Sequence, residues 1–327
     1  MSVVRERSHE AASRRDRVWA YVALTKPRII ELLLVTALPT MFLAARGLPG
    51  VVTIIAVLLG GTCAAAGANT FNSLYDRDID EKMHRTSARP AVLGLVSIKV
   101  GIVQGILLSA ASALVLALLT NLLAAALALA AIVMYAVGYT MVLKRRTSQN
   151  IVWGGAAGCM PVLIAWSAVT GTLTWTPVVL FLVIFFWTPP HYWPLAIKFR
   201  DQYAEAGVPM LPSVRPLTHV AVQIVLYAWI TVLVSLSLIP VAGMGLVYTL
   251  GAIGLGAMFL VMAYQVQRAV GRAVRGDSGM TAGSVGDPVA TETTVESVSM
   301  RLFHGSILYL AALFLLIAVD PFLHLVG

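Results

Sequence analysis

Charge is scarce in this sequence: only 12% of its 327 residues are Asp, Glu, Lys or Arg, while 59% are apolar. A soluble globular domain carries about 25% charged residues. The chain therefore lacks the polar surface needed to face water, and its mean hydropathy is +0.85. Soluble-core folds are excluded, and lipid is the solvent for most of the molecule. Cysteine is scarce too. Cys63 and Cys159 lie in apolar stretches with no CxxC spacing and no nearby His, which argues against a cysteine metal site; they read as small packing residues. A formal net charge of +8 would suit nucleic acid in a soluble protein, but here the basic residues fall between apolar runs, and no nucleic acid is expected.

Nine apolar segments are present, near 29–46, 51–75, 97–119, 122–143, 150–170, 176–198, 218–240, 243–266 and 302–325. About 20 residues of helix cross a bilayer core, and in lipid only helices or closed barrels satisfy the backbone. These runs are too long and too uniformly apolar for barrel strands. The expected fold is all-α and integral to the membrane, with nine transmembrane helices around a central cavity open to the cytoplasmic side. Residues 1–28 hold Arg5, Arg7, Arg14, Arg15, Arg17, Lys26 and Arg28 and read as a basic cytoplasmic tail rather than a cleaved signal. With that tail inside, the inner loops receive nearly all remaining Lys and Arg, and the outer loops only Arg46. This satisfies the positive-inside rule and puts the C-terminus outside. Residues 29–327 form one membrane domain, within which 276–299, rich in Gly, Ser, Thr and Val, reads as a flexible cytoplasmic loop.

Two inner loops differ from the rest by mixing Asp, Glu, Arg, Lys, His and Pro. In the first, Asn72, Asp76 and Asp80 recur at i, i+4, i+8, which stacks three oxygen-bearing side chains on one helix face. Ionised carboxylates in a column repel unless a cation joins them. Mg²⁺ takes oxygen ligands, keeps several waters and bridges carboxylates to substrate phosphates. A solvated acidic helix end is the competing reading; it is the stronger one for Asp78 and Glu81, which lie off the column. In the second loop, Asp201 and Glu205 again stand at i, i+4. Two such sites facing each other would clamp one diphosphate through two metals.

Fixed cations for a diphosphate are Arg85, Arg89, Lys144, Arg145, Arg146 and Lys198. Simple inner-loop flanking charge competes with that role at Lys144 and Arg146. His191, between Pro190 and Tyr192, is a haem-iron ligand, a general acid or base, or a structural residue. Trp187, Trp193, Tyr192, Trp153 and Trp166 either line a pocket that steadies an allylic carbocation or form interfacial belts. The residues alone reach prenyl transfer within a membrane and leave the acceptor unnamed.

The column Asn72-x3-Asp76-x3-Asp80 resembles the first Asp-rich motif of the intramembrane aromatic prenyltransferase superfamily typified by 4-hydroxybenzoate polyprenyltransferase. Asp201-x3-Glu205 is similar to its second motif, usually Asp-x3-Asp, from which Glu205 departs. The match is closer to the protohaem IX farnesyltransferase (haem O synthase) family. It is carried by Leu24-Thr-Lys-Pro-Arg28, by Asp76-Arg-Asp-Ile-Asp80 with His84-Arg-Thr-x2-Arg89-Pro90, and by Leu143-Lys-Arg-Arg-Thr-x2-Asn150 with Gly154-Gly-Ala-Ala-Gly158. Trp187-Thr-Pro-Pro-His191-x-Trp193, Ala206-Gly-Val-Pro-Met-Leu-Pro212 and Leu302-Phe-x2-Ser306-Ile-x-Tyr309-Leu310 complete it. The resemblance implies that farnesyl diphosphate and haem B give haem O and diphosphate in a Mg²⁺-dependent reaction. It implies catalytic and metal roles for Asn72, Asp76, Asp80 and Asp201, with Glu205 as a further ligand. It places Arg85, Arg89, Lys144, Arg145, Lys198 and His191 near the diphosphate or the haem propionates. A bacterial plasma membrane is the expected setting, and haem A synthase or a terminal oxidase the expected partner. The rivals are a sibling enzyme with a quinone-ring, chlorin or phenolic acceptor and, in another class, a membrane transporter.

Overall fold

The computed structural model describes residues 13–276 and 288–323, the side chains of 14, 28–34 and 288–292 excepted, and every regular element among them is helical. In chain order these are α1 (Arg14–Leu24), α2 (Pro27–Ala45), α3 (Val51–Tyr75), α4 (Arg77–Lys82), α5 (Ile98–Leu119) and α6 (Leu122–Val133), which continues as a π-helix over Met134–Leu143. They are followed by α7 (Asn150–Thr170), α8 (Trp175–Lys198), α9 (Arg200–Glu205), α10 (Leu211–Val214), α11 (Leu217–Ala242), α12 (Leu246–Arg275) and α13 (Pro288–Leu323). Among the described residues, eight helices are long and apolar enough to cross a membrane. The first expected segment, 29–46, corresponds to α2, of which Val35–Ala45 forms a shorter apolar stretch.

The helices close into a ring. α3 packs on α5, α7 on α8, α8 on α11, α11 on α12 and α12 on α13; α13 then returns to α2, which also touches α3 and α7. Large apolar side chains such as Leu118, Leu122 and Leu246 point outward, as a lipid-facing surface requires. The loops and short helices that carry the polar motifs, with α1, α4 and α9, gather at one end of the ring. At the other end the carboxylate of Asp320 accepts from the backbone N–H of Gly245 at 3.0 Å and caps α12.

One expectation changes. The 276–299 stretch is not a continuous loop: α13 begins at Pro288, and Val295, Val298 and Ser299 are buried. Its Ser and Thr content reads as linker, but Val295, Val298 and Leu302 recur at helical spacing and join the core. Residues 277–287 lie outside the described residues, as do 1–12 of the basic tail. Within that tail, Ser13 and Asp16 form a reciprocal cap at the start of α1. Ala20 and Leu24 of α1 then pack on Ala91 and Val96.

Lipid gives helices little hydrophobic reason to associate, so membrane helix pairs rely on small residues that allow close approach. The α3–α5 pair does so from both sides. A Cβ on Gly105 would lie 2.7 Å from the Phe71 ring, and one on Gly67 would lie 2.8 Å from Ser109 Oγ and 3.1 Å from the Gly105 carbonyl. Gly105→Leu is therefore expected to destabilise the protein by about 1–3 kcal/mol, read as a lower unfolding midpoint in detergent. An unchanged midpoint would contradict the close approach.

Candidate active site

The ring encloses a hollow of about 440 Å³ at the end where the polar loops gather. Its polar lining includes Lys26, Asn72, Asp80, Arg85, Arg89 and Lys144; its aromatic lining includes Tyr135, Tyr139, Trp187, His191, Tyr192 and Tyr203. Below it lies an apolar slot of about 160 Å³ walled largely by Ala and Gly of α3, α6 and α7, with Tyr135 and Gly158 shared between the two spaces.

The acidic column survives a break in the helix. α3 ends at Tyr75 and α4 starts at Arg77, yet Asp76 N–H donates to the Asn72 carbonyl at 2.9 Å and Asp80 N–H to the Asp76 carbonyl at 2.8 Å. The i, i+4 spacing thus runs through the junction. Asn72, Asp76 and Asp80 are only 3%, 1% and 3% exposed. A buried carboxylate is costly unless it is paired and hydrogen-bonded, and each is. Arg89 Nη1 lies 2.6 Å from Asp80 Oδ2, and Lys144 pairs with Asp76 Oδ2. Asn72 Nδ2 donates to Asp76 Oδ2 at 2.7 Å and to Thr140 Oγ1 at 3.0 Å, while its Oδ1 accepts from Lys26.

Two irregular backbones bring these cations in. Lys26 is held in the left-handed region (φ 52°, ψ 63°), where residues other than Gly are uncommon. α3 fixes that turn: Asn69 Nδ2 donates to the Thr25 carbonyl at 3.0 Å and Ser73 Oγ to the Leu24 carbonyl at 3.1 Å. Burial pulls the Lys26 ammonium down to about 7, with Arg89 and Lys144 adding to the shift and Asp80 and Asp76 opposing it. Lys144 arrives through the π-helix. Tyr135 and Lys144 are nine residues apart, about two and a half turns of α-helix, which would place them on opposite faces. The wider i→i+5 bonding, seen as Lys144 N–H to the Tyr139 carbonyl at 2.9 Å, brings both to the hollow. Gly154 accepts the Tyr139 ring, since a Cβ there would lie 2.1 Å from Tyr139 Cδ2.

His191 is stacked between Trp187 (centroids 4.2 Å) and Phe303 (4.7 Å), with Nδ1 2.8 Å from Ser306 Oγ. Trp187 Nε1 donates to the Ser306 carbonyl at 2.8 Å, so α13 sets this wall. Tyr203 Oη lies 3.0 Å from Tyr192 Oη and 3.4 Å from Arg85 Nη2, and burial beside Tyr192 pushes its phenol well up.

The second acidic motif does not face the first. Asp201 and Glu205 are exposed and neither lines the hollow; Asp201 Oδ1 sits 3.4 Å from Arg200 Nε. The reason is helical phase. Tyr203 turns inward, and residues two positions to either side lie about 200° around the helix. Lys198 is exposed beside the Phe199 ring, also outside the hollow. Arg145 grips Asp78 through two bonds of 2.7 Å and the Tyr75 carbonyl at 3.2 Å, which holds Asp78 below the usual carboxylate range. Of the five aromatic residues singled out in the sequence, Trp187 and Tyr192 line the hollow; Trp193 and Trp166 are buried in the core, and Trp153 is exposed. Lys26, Tyr135, Tyr139 and Tyr203 are the additions.

The donor set fits Mg²⁺. Asp76 Oδ1 is buried and accepts no hydrogen bond, with Arg145 Nη2 at 3.9 Å. Asn72 and Asp80 present hard oxygens to the hollow, while Asp76 is not among the residues that line it. Among the described residues no group of three or more His, Cys, Asp or Glu could hold a metal.

Residues 33–275 match the UbiA prenyltransferase family. The chain is 52% identical to the protoheme IX farnesyltransferase of Clavibacter michiganensis subsp. michiganensis over 93% of its own length and 92% of that protein. Two solved structures share the fold. One is a digeranylgeranylglyceryl phosphate synthase (TM-score 0.70, 14% identity, 94% of this chain and 99% of that one). The other is a UbiA homolog from Archaeoglobus fulgidus bound to DMAPP and Mg²⁺ (TM-score 0.61, 17% identity, 88% and 98%). An all-helical ring, an acidic column and identity sustained along nearly the whole chain converge: this integral membrane protein belongs to the UbiA prenyltransferase family, among the protoheme IX farnesyltransferases.

Proposed function

We propose that the protein transfers the farnesyl group of farnesyl diphosphate to a vinyl group of haem B, with addition of water, giving haem O and diphosphate. The observation that carries this reading is a buried Asn72–Asp76–Asp80 column ringed by cations at the mouth of an apolar space, in a chain half identical to proteins named for that activity. The C1–O bond of the farnesyl ester breaks, C1 bonds to the terminal vinyl carbon, and water adds to the carbon next to the ring and loses a proton. Mg²⁺ bound to the column supplies Lewis-acid stabilisation of the departing oxygens. Lys26, Arg85, Arg89 and Lys144 hold the diphosphate, with the two arginines able to grip it through paired bonds. The faces of Tyr135, Tyr139 and Trp187 favour the allylic cation. The Ala- and Gly-walled slot seats the farnesyl chain, and its shared throat at Gly158 keeps C1 beside the column.

The inner loops carry nearly all the Lys and Arg, which supports nine spans with the hollow opening on the cytoplasmic side of a bacterial plasma membrane. His191, whose two ring faces are covered by Trp187 and Phe303, is assigned to the haem as an iron ligand. Asp201, Glu205, Lys198 and Arg145 contribute from outside the hollow, and a metal role for the first two requires α9 to turn. A terminal oxidase, or an enzyme converting haem O to haem A, is the expected consumer of the product.

Purified protein in lipid, given farnesyl diphosphate, Mg²⁺ and haem B, is expected to form a haem heavier by one farnesyl group and one water, read by mass. Failure to form it, with a phenolic acid prenylated instead, would assign a different acceptor. Asp76→Asn keeps the shape but removes the charge opposite Lys144, and is expected to lower turnover by at least about 10²-fold without loss of membrane insertion; full activity removes the column from the chemistry. Gly158 has open space where a Cβ would stand, so Gly158→Leu is expected to fold and to narrow the throat. Its turnover should fall more with farnesyl than with geranyl diphosphate, and an unchanged ratio would place the chain elsewhere. His191→Ala is expected to change the absorption spectrum of bound haem; an identical spectrum returns His191 to a packing role.

A further inference from the structure

A second cavity, of about 290 Å³, lies between the end of α1 and the 85–91 loop. Lys26, Arg85 and Arg89 line both this cavity and the hollow, so the partition between them is made of three long cationic side chains. No Asp or Glu is among the described residues that line the second cavity. Its other walls are small or apolar, among them Ala23 of α1 and Ala88 of the loop, both exposed, as is Arg85. The cavity therefore sits at the outer edge of the polar end.

Prenyl transfer leaves a free diphosphate, more highly charged than the ester, in a space whose deeper walls are aromatic and aliphatic. That anion cannot depart through lipid. A path lined by one sign of charge focuses the field and draws the counter-charge along it. Each member of the partition has one partner toward the hollow: Asn72 for Lys26, Asp80 at 2.6 Å for Arg89, and Tyr203 Oη at 3.4 Å for Arg85. A phosphate oxygen can replace each of these, and the long side chains can swing with it. We propose that the second cavity is the release port for the diphosphate leaving group, with Lys26, Arg85 and Arg89 passing the anion from the hollow to water. The proposal rests on the prenyl diphosphate reading above.

Ala88→Trp, and Ala23→Leu from the opposite wall, fill the cavity from exposed positions outside the reacting groups. With protein in excess over farnesyl diphosphate, the single-turnover rate is expected to stay within about two-fold of wild type. At steady state both variants are expected to slow by about ten-fold, with a burst of one product per protein, because release becomes limiting. Unchanged steady-state rates overturn the port, and so does an equal loss in both regimes, which would place these walls in the chemical step. Inorganic diphosphate supplied with Mg²⁺, and with no prenyl donor or acceptor, separates this inference from its parent. Its association with the purified protein, followed by stopped-flow tryptophan emission, is expected to slow in both variants whatever the acceptor. Unslowed association overturns the port even where no prenylated haem forms.

Discussion

Two carboxylates buried at one end of a lipid-embedded ring are the constraint around which the polar half of this protein is organised. Asp76 and Asp80 are almost wholly inaccessible, and an unpaired charge in such surroundings costs about 3–5 kcal/mol when its partner is removed. Their partners come from separate parts of the chain. Arg89 enters from the loop after α4 to pair with Asp80, and Lys144 from the end of the π-helix to pair with Asp76, while Lys26 enters from the α1–α2 turn to bond Asn72 of the same column. None of these segments would need its present shape if the carboxylates faced water. The arrangement ties α1, α3, the 84–91 loop and the α6–α7 turn into one electrostatic unit, and the hollow is the space that unit leaves open.

The irregular backbones follow from the same demand. A left-handed Lys26 before a proline is an unfavourable conformation, and it persists because Asn69 and Ser73 hold the carbonyls on its N-terminal side. A ten-residue π-helix is rare, and such segments gather at functional sites; here it returns Lys144 to the face that Tyr135 occupies. α8 carries Pro189, Pro190 and Pro194, each unable to donate to the helix ladder, in the stretch that turns His191 and Tyr192 toward the hollow. These irregularities sit beside the hollow; elsewhere Arg46 is also left-handed (φ 49°), and Pro39, Pro161, Pro240 and Pro321 lie inside helices.

Much of this was legible in the sequence. The spans were readable because lipid demands long apolar helices, and seven segments between 51 and 266 and α13 appear where the apolar runs lie. The column at 72, 76 and 80 was readable because its period matches one helix face and the break at Asp76 preserves it. The same period misled at Asp201 and Glu205. Spacing says that two residues share a face but not which way the face turns, and Tyr203 took the inward position. Lys26 read as ordinary flanking charge because nothing in composition marks a left-handed lysine. Tyr135 and Tyr139 were hidden inside a uniformly apolar run, where only the π register reveals that they and Lys144 look the same way. The Val295–Leu302 spacing was overshadowed by Ser and Thr.

The resting charge pattern bears on what the hollow admits. Lys26, Arg85, Arg89 and Lys144 outnumber Asp76 and Asp80, and the carboxylate oxygens that a divalent ion would need are mostly held by the cations that a diphosphate would need. A metal entering alone and taking the Asp76 Oδ2 that Lys144 holds would leave that largely buried ammonium without its carboxylate. A diphosphate entering alone would draw those cations off and leave Asp76 and Asp80 unpaired. Were the two to enter together, Arg89 and Lys144 could turn to phosphate oxygens while Asp76 and Asp80 would hold the metal, and no buried charge would be left alone. Asp76 Oδ1, already without a hydrogen bond, is the oxygen from which that exchange can begin. On the prenyl diphosphate reading proposed above, the site would suit a metal–diphosphate pair better than either ion by itself.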